Sequence, residues 1–133
     1  MAIQFSTDVR NNQLDSVETT IGTGPTLEMR SGAQPADCAA ASTGTLLVSM
    51  TLPSDWLNAA SGGTKTLAGT WQDLSADAAG TIGHFRINQG ATCHMQGAVT
   101  ATGGGGEIEV NNTSVASGQE VNITAFTLTA GGA

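Results

Sequence analysis

Hydrophobic residues recur at helical spacing once in this chain. Leu14, Val17 and Ile21 form a single apolar stripe, which predicts a helix over 8–21. Thr7 or Asp8 can supply the capping oxygen. Gly22 then offers a left-handed end and Pro25 forbids continuation. Just before the helix, residues 2–6 alternate, with Ile3 and Phe5 on one side, which reads as a short strand.

After the helix the pattern shortens to strands and turns. Pro25–Arg30 sets Leu27 and Met29 on one face and Glu28 and Arg30 on the other. Residues 31–44 have no period and read as loop. Thr45–Leu52 is the clearest strand: Leu46, Val48, Met50 and Leu52 face one way, and Leu47 breaks the alternation. Residues 54–60 predict a single helical turn capped by Ser54 or Asp55, broken by Gly62 and Gly63. Lys65–Gln72 predicts a strand and Asp73–Gly80 a loop.

A hairpin is expected next. Thr81–Ile87 places Phe85 and Ile87 inward with His84 and Arg86 outward. Thr92–Thr100 places Cys93, Met95 and Val99 inward with His94 and Gln96 outward. Matching faces sets Ile87 against Cys93 across a turn at 88–92, and His94 against Arg86. The glycine run Gly103–Gly106 reads as a hairpin turn into Glu107–Val110. The last strand, Glu120–Thr129, changes phase between Ile123 and Phe126, which predicts a β-bulge or sheet crossover near Ala125. Together these give one domain: an N-terminal strand-and-helix arm (1–22) and an all-β, antiparallel sandwich or jelly roll (23–133) of about eight strands.

Composition changes this picture through its lack of charge. Only 11% of the 133 residues are charged, against roughly 25% in an ordinary domain. The basic residues are Arg10, Arg30, Lys65 and Arg86, and the net charge is −7. A basic stripe for nucleic acid is missing, and anionic membrane is disfavoured for the same reason. No run approaches the roughly 18 apolar residues of a membrane span. The surface is therefore expected to be Thr, Ser, Ala, Gly and Asn, easily desolvated and suited to lying against other protein. Met1-Ala2-Ile3-Gln4-Phe5 lacks the basic and apolar regions of a secretory leader, so ordinary export is not expected. Cys38 and Cys93 are accordingly expected as reduced thiols, one packed as a small hydrophobe, with an intrachain disulfide as the lesser alternative.

Candidate chemistry is sparse. His84 and His94 would share the outer face without a third ligand, so no metal or cofactor is expected. No nucleophile elbow appears, and Glu107 and Glu109 read as a solvated face, so the chain is not expected to be an enzyme. Asp73, Ser75 and Asp77 leave a calcium loop open, off the EF-hand spacing. Trp56 and Trp71 read as core anchors, with an exposed sugar-binding pair as the alternative. Leu14, Val17, Ile21, His84, Arg86 and His94 are the candidate interaction residues. The histidines there could make a subunit contact sensitive to pH.

Several stretches together carry a family likeness: MAIQFSTDVRNNQLDSVETTIGTGP (1–25), RSGAQPADCAA (30–40), TLPSDWLNAASGG (51–63), GTWQDLSADAAGTIGHFRI (69–87) and GQEVNITAFTLTAGGA (118–133). The chain resembles small proteins encoded among the structural genes of tailed bacteriophages and prophages. The resemblance implies a virion protein assembled in the host cytoplasm. It is expected to be a homo-oligomeric capsid decoration or cement protein packed on the major capsid protein. A tail, baseplate or fibre component is the alternative, and a carbohydrate-binding sandwich module is the alternative of another class.

Overall fold

The computed structural model describes residues 3–133. Among the described residues one helix, α1 (Thr7–Ile21), precedes nine strands: β1 (Thr26–Ser31), β2 (Leu46–Thr51), β3 (Thr64–Thr66), β4 (Gln72–Asp73), β5 (Gly80–Gln89), β6 (Thr92–Ala101), β7 (Ile108–Val110), β8 (Ser114–Val115) and β9 (Val121–Thr129). They form a single mixed sheet ordered β2-β1-β5-β6-β7-β9-β3, with β4 also on β9 and β8 also on β5. The expectation of a purely antiparallel sheet is corrected, because β6 and β7 run parallel. The sheet curls until its ends meet: the Ser49 amide of β2 donates to Asp73 Oδ2 of β4 at 3.2 Å.

The helix matches its predicted span, but its cap is Ser6, whose hydroxyl accepts from the Val9 amide. Gly22 ends it at φ 92°. Residues 3–6 form no strand; the Phe5 amide instead donates to the Gly132 carbonyl at 2.6 Å. Residue 2 of the expected strand lies outside the described residues. Residues 54–60 form no helical turn. The chain bends at Ser54 and Asp55, and Leu57 then bridges Leu67.

The core is built from the expected inward residues: Leu27, Met29, Val48, Phe85, Ile87, Ile108, Val110 and Val121 are all buried. A chain of rings runs through it. Trp56 packs on Trp71 at 6.0 Å, Trp71 on Phe126 at 5.2 Å, and Phe126 meets Phe85 edge-on at 6.1 Å. Each indole N–H has an acceptor, the Gly22 carbonyl for Trp56 and the Ala68 carbonyl for Trp71. Trp56 thereby ties the end of α1 to the core.

Bulges decide which side chains leave the regular alternation. Met29 pairs with Val48 and Arg30 with Leu46, so Leu47 is the extra residue. That accounts for its break in parity and its burial. Glu109 pairs with Ala125 and Val110 with Ile123, which makes Thr124 the extra residue and accounts for the phase change in β9. The hairpin register differs from the expectation. Gln89 pairs with Thr92, so the turn is only Gly90-Ala91, and Ile87 pairs with Met95 and Asn88 with Cys93, leaving His94 unpaired. Face-matching alone could not find this, because a bulge lets both parities be satisfied along one strand.

Gly103–Gly106 is not a hairpin turn. The connection 102–107 folds back over the end of β6 so that β7 can run parallel to it. Parallel neighbours ordinarily need about a dozen linking residues. The glycines make the short route possible. Gly103 and Gly105 take positive φ (86° and 82°), while a Cβ on Gly104 would lie 2.6 Å from Thr100 Cβ. The turn is then held by Glu109, whose carboxylate accepts from the Gly103 and Gly105 amides at 3.2 and 3.1 Å. Gly104→Ala is expected to cost about 1–3 kcal/mol, the usual range for overpacking. Gly131→Ala, where a Cβ meets nothing within 4 Å, is the control; equal urea midpoints for the two variants would contradict the close approach.

Candidate functional site

Two polar assemblies and one apolar arm hold the residues that chemistry could use. The first assembly seats the helix. Asn11, Asp15 and Glu18 form a polar stripe beside the apolar one. They accept backbone amides that would otherwise be orphaned: Gly63 on Asn11 at 2.8 Å, Ala60 on Asp15 at 3.0 Å and Leu57 on Glu18 at 3.2 Å. Lys65 reaches up from β3 to Asp15 at 2.7 Å and Glu18 at 3.1 Å, its own side chain only 1% exposed. Burial pulls the Lys65 pKa down, but the two carboxylates outweigh that and hold it above its ordinary value. Hydrogen bonds from Lys65 and the Ala60 amide hold Asp15 below its ordinary value. The stripe at 11, 15 and 18 was legible as helical spacing; that it would clasp a buried lysine was not.

The second assembly lies on the outer face of β1, β5 and β6. Here Glu28 pairs with Arg86 and Arg30 with His84 across β1 and β5. Neither His84 nor Arg86 is exposed as expected: they are 1% and 4% accessible. The irregular segment 32–44, hereafter the strap, covers them. Arg86 donates to the carbonyls of Asp37 (3.0 Å) and Ala40 (2.9 Å), to Ser42 Oγ (3.4 Å) and to Gln96 Oε1 (3.2 Å). Gln96 in turn donates to the Pro35 carbonyl at 2.7 Å. His84 Nδ1 donates to the Gly32 carbonyl at 2.9 Å. A Cβ on Gly83 would collide with the Gly32 backbone, so glycine there lets the strap pass.

Cys38 and Cys93 form a disulfide across this face, with Cα atoms 5.3 Å apart. The expectation of two reduced thiols is corrected. The physical reason is the bulge at His94. It pairs Cys93 with Asn88, on the face of Arg86, instead of facing it into the core.

The remaining candidates are placed as follows. Leu14 and Ile21 are buried in the protein's own interior and Val17 packs partly against it, so they serve the fold. Of the two histidines only His94 is exposed. His84 pairs with Ala98 and Arg86 with Gln96, so the expected apposition of His94 with Arg86 does not form. Asp73 spends both oxygens on backbone amides, those of Ser49 and Ser75. Among the described residues no three of His, Cys, Asp and Glu are placed to hold a metal ion. Trp56 and Trp71 are 0% and 2% accessible, which removes the exposed sugar-binding pair. No helix among the described residues is long and apolar enough to cross a membrane.

No family model, curated protein or solved structure matches this chain. Its surface must speak for itself.

That surface is one-signed. None of the four basic side chains is exposed, and among the described residues every exposed charged side chain is acidic: Asp8, Asp37, Asp55, Asp77, Glu107 and Glu120. The large exposed hydrophobics gather at the N-terminus. Ile3 (68% accessible), Phe5 (41%) and Val9 (42%) lie within one short stretch, with Leu74 (65%) elsewhere. The C-terminal residues flank this arm, Gln4 donating to the Ala133 carbonyl at 3.4 Å.

Lys65→Met keeps the buried stem and removes the charge. It is expected to lower stability by about 2 kcal/mol, below the range for fully buried pairs because the carboxylates are partly solvated. The pH dependence follows from the signs. Lys65 contributes fully below its ordinary value of 10.5 and loses that contribution as pH rises through its higher folded value. Asp15 contributes fully above 3.8 and loses its contribution as pH falls through its lower folded value. Melting temperature should therefore fall above about pH 10.5 in the native protein, and that alkaline fall should be shallower in Lys65→Met.

Proposed function

We propose that the chain is a structural protein of a bacteriophage virion, a head decoration protein that packs on capsid subunits through its N-terminal arm. The observation that carries this reading is the arm itself. Ile3, Phe5 and Val9, within seven residues of one another in sequence, are three of the four large exposed hydrophobics among the described residues, Leu74 being the fourth. Contiguous exposed apolar side chains mark contact surfaces. The resemblance of residues 1–25 and of the later stretches to phage structural proteins supports the same role. The rest of the exterior suits it as well: a Thr, Ser, Ala and Gly coat is cheap to desolvate, and its acidic charges favour a partner surface without negative charge.

Removing residues 1–22 would be a poor test, since α1 supplies Leu14, Ile21 and the clasp on Lys65. The sharper test places charge on the arm. Ile3→Asp with Phe5→Asp is expected to leave tryptophan emission and melting temperature nearly unchanged. Occupancy on purified particles should fall at least about tenfold, the scale of losing a contact hot spot. Full occupancy with the charged arm would refute the reading. Particle images showing the protein on tails would replace the head assignment with the tail one.

A further inference from the structure

The strap has almost nothing apolar to hold it. Of residues 32–44 only Pro35 is buried. A segment so poor in buried contacts belongs to the least stable part of a fold. Its ties to the sheet are six polar contacts and one covalent bond. In every polar contact the sheet donates and a strap oxygen accepts. His84 serves Gly32, Gln96 serves Pro35, Arg86 serves Asp37, Ala40 and Ser42, and Arg30 serves the Gly44 carbonyl at 3.4 Å. The covered face is thus mostly an array of donors met by strap oxygens; it holds two of the chain's four basic residues, Arg86 and Arg30, and one carboxylate, Glu28, which lies 3.6 Å from Arg30 and opposite Arg86. Two buried donors or acceptors on it, His84 Nε2 and Arg30 Nε, have no partner. Both cysteines are half-buried, within reach of a small reductant.

We propose that the strap is a redox-latched cover over an oxyanion-binding face, with Cys38–Cys93 as the latch. A dithiol reductant opens it. Two electrons and two protons pass to the sulfurs, giving two thiols, and the dithiol closes into its own disulfide. With the latch open, the strap oxygens leave Arg86, His84 and Arg30, and a phosphate or carboxylate takes their place. An otherwise acidic surface then gains a face on which two guanidinium groups and an imidazole stand against one carboxylate, Glu28. This inference stands independently of the virion role.

The two histidines report on it directly. Diethyl pyrocarbonate acylates accessible neutral imidazole, and the sites are read by peptide mass spectrometry. In the oxidised full chain only exposed His94 should react. After dithiothreitol, or in Cys38→Ser/Cys93→Ser without reductant, His84 should react at least about tenfold faster, the scale set by local opening. Tryptophan emission of the buried Trp56 and Trp71 should stay unchanged. Inorganic phosphate should then slow His84 and leave His94 alone. The proposal is overturned by a slow His84 in the reduced, folded protein, or by one that reacts only as the tryptophan signature collapses. It is equally overturned by an opened His84 that phosphate does not protect.

Discussion

A cation taken out of water must be met by oxygen, and in this protein that requirement decides where the irregular chain lies. Lys65 is nearly inaccessible, and its two carboxylate partners both sit on α1. The helix is therefore docked by charge as well as by Leu14 and Ile21. Arg86 is buried on the opposite strands, and its partners are carbonyls of a segment without secondary structure. Arg30 reaches the end of the same segment. A chain with so few basic residues spends three of them, Lys65, Arg86 and Arg30, on its own construction. The one-signed exterior follows, since the carboxylates not used inside have no basic neighbours left to offset them.

The curl of the sheet is accompanied by departures from regular pairing. Extra residues at Leu47, His94 and Thr124 each shift the register by one, and a bulge raises the local twist. Each also re-aims a side chain. Leu47 is buried beside Val48 in the same core, and its carbonyl accepts the Asp77 amide at 2.8 Å. The bulge at His94 sends Cys93 to the face of Arg86. One register shift thus allows a bridge between residues 55 apart in sequence, which limits the freedom of the unfolded chain.

Buried side chains and exposed ones divide the labour clearly. The aromatic residues inside link sheet to helix, and the neutral coat outside leaves little that would resist desolvation. Ile3, Phe5 and Val9 are, with Leu74, the exceptions to that coat among the described residues, and Phe5 lies beside Gly132 near the C-terminus. Function on this reading depends on packing surface, with the fold's polar chemistry turned inward.

Short-range spacing was enough to determine the helix over 8–21, the inward faces at Leu27/Met29, Val48/Met50 and Ile108/Val110, and the phase change near Ala125. These depend on periodicity within a few residues, which the chain carries in itself. Only the tertiary structure decided that β7 runs parallel to β6, that Cys38 meets Cys93, and that His84 and Arg86 are buried. Alternation states that two residues share a face; it does not state what covers that face. The cover here is 32–44, a segment without period, held by donors on distant strands. Its position follows from the need of buried guanidinium and imidazole groups for oxygen, a need that only the assembled sheet creates.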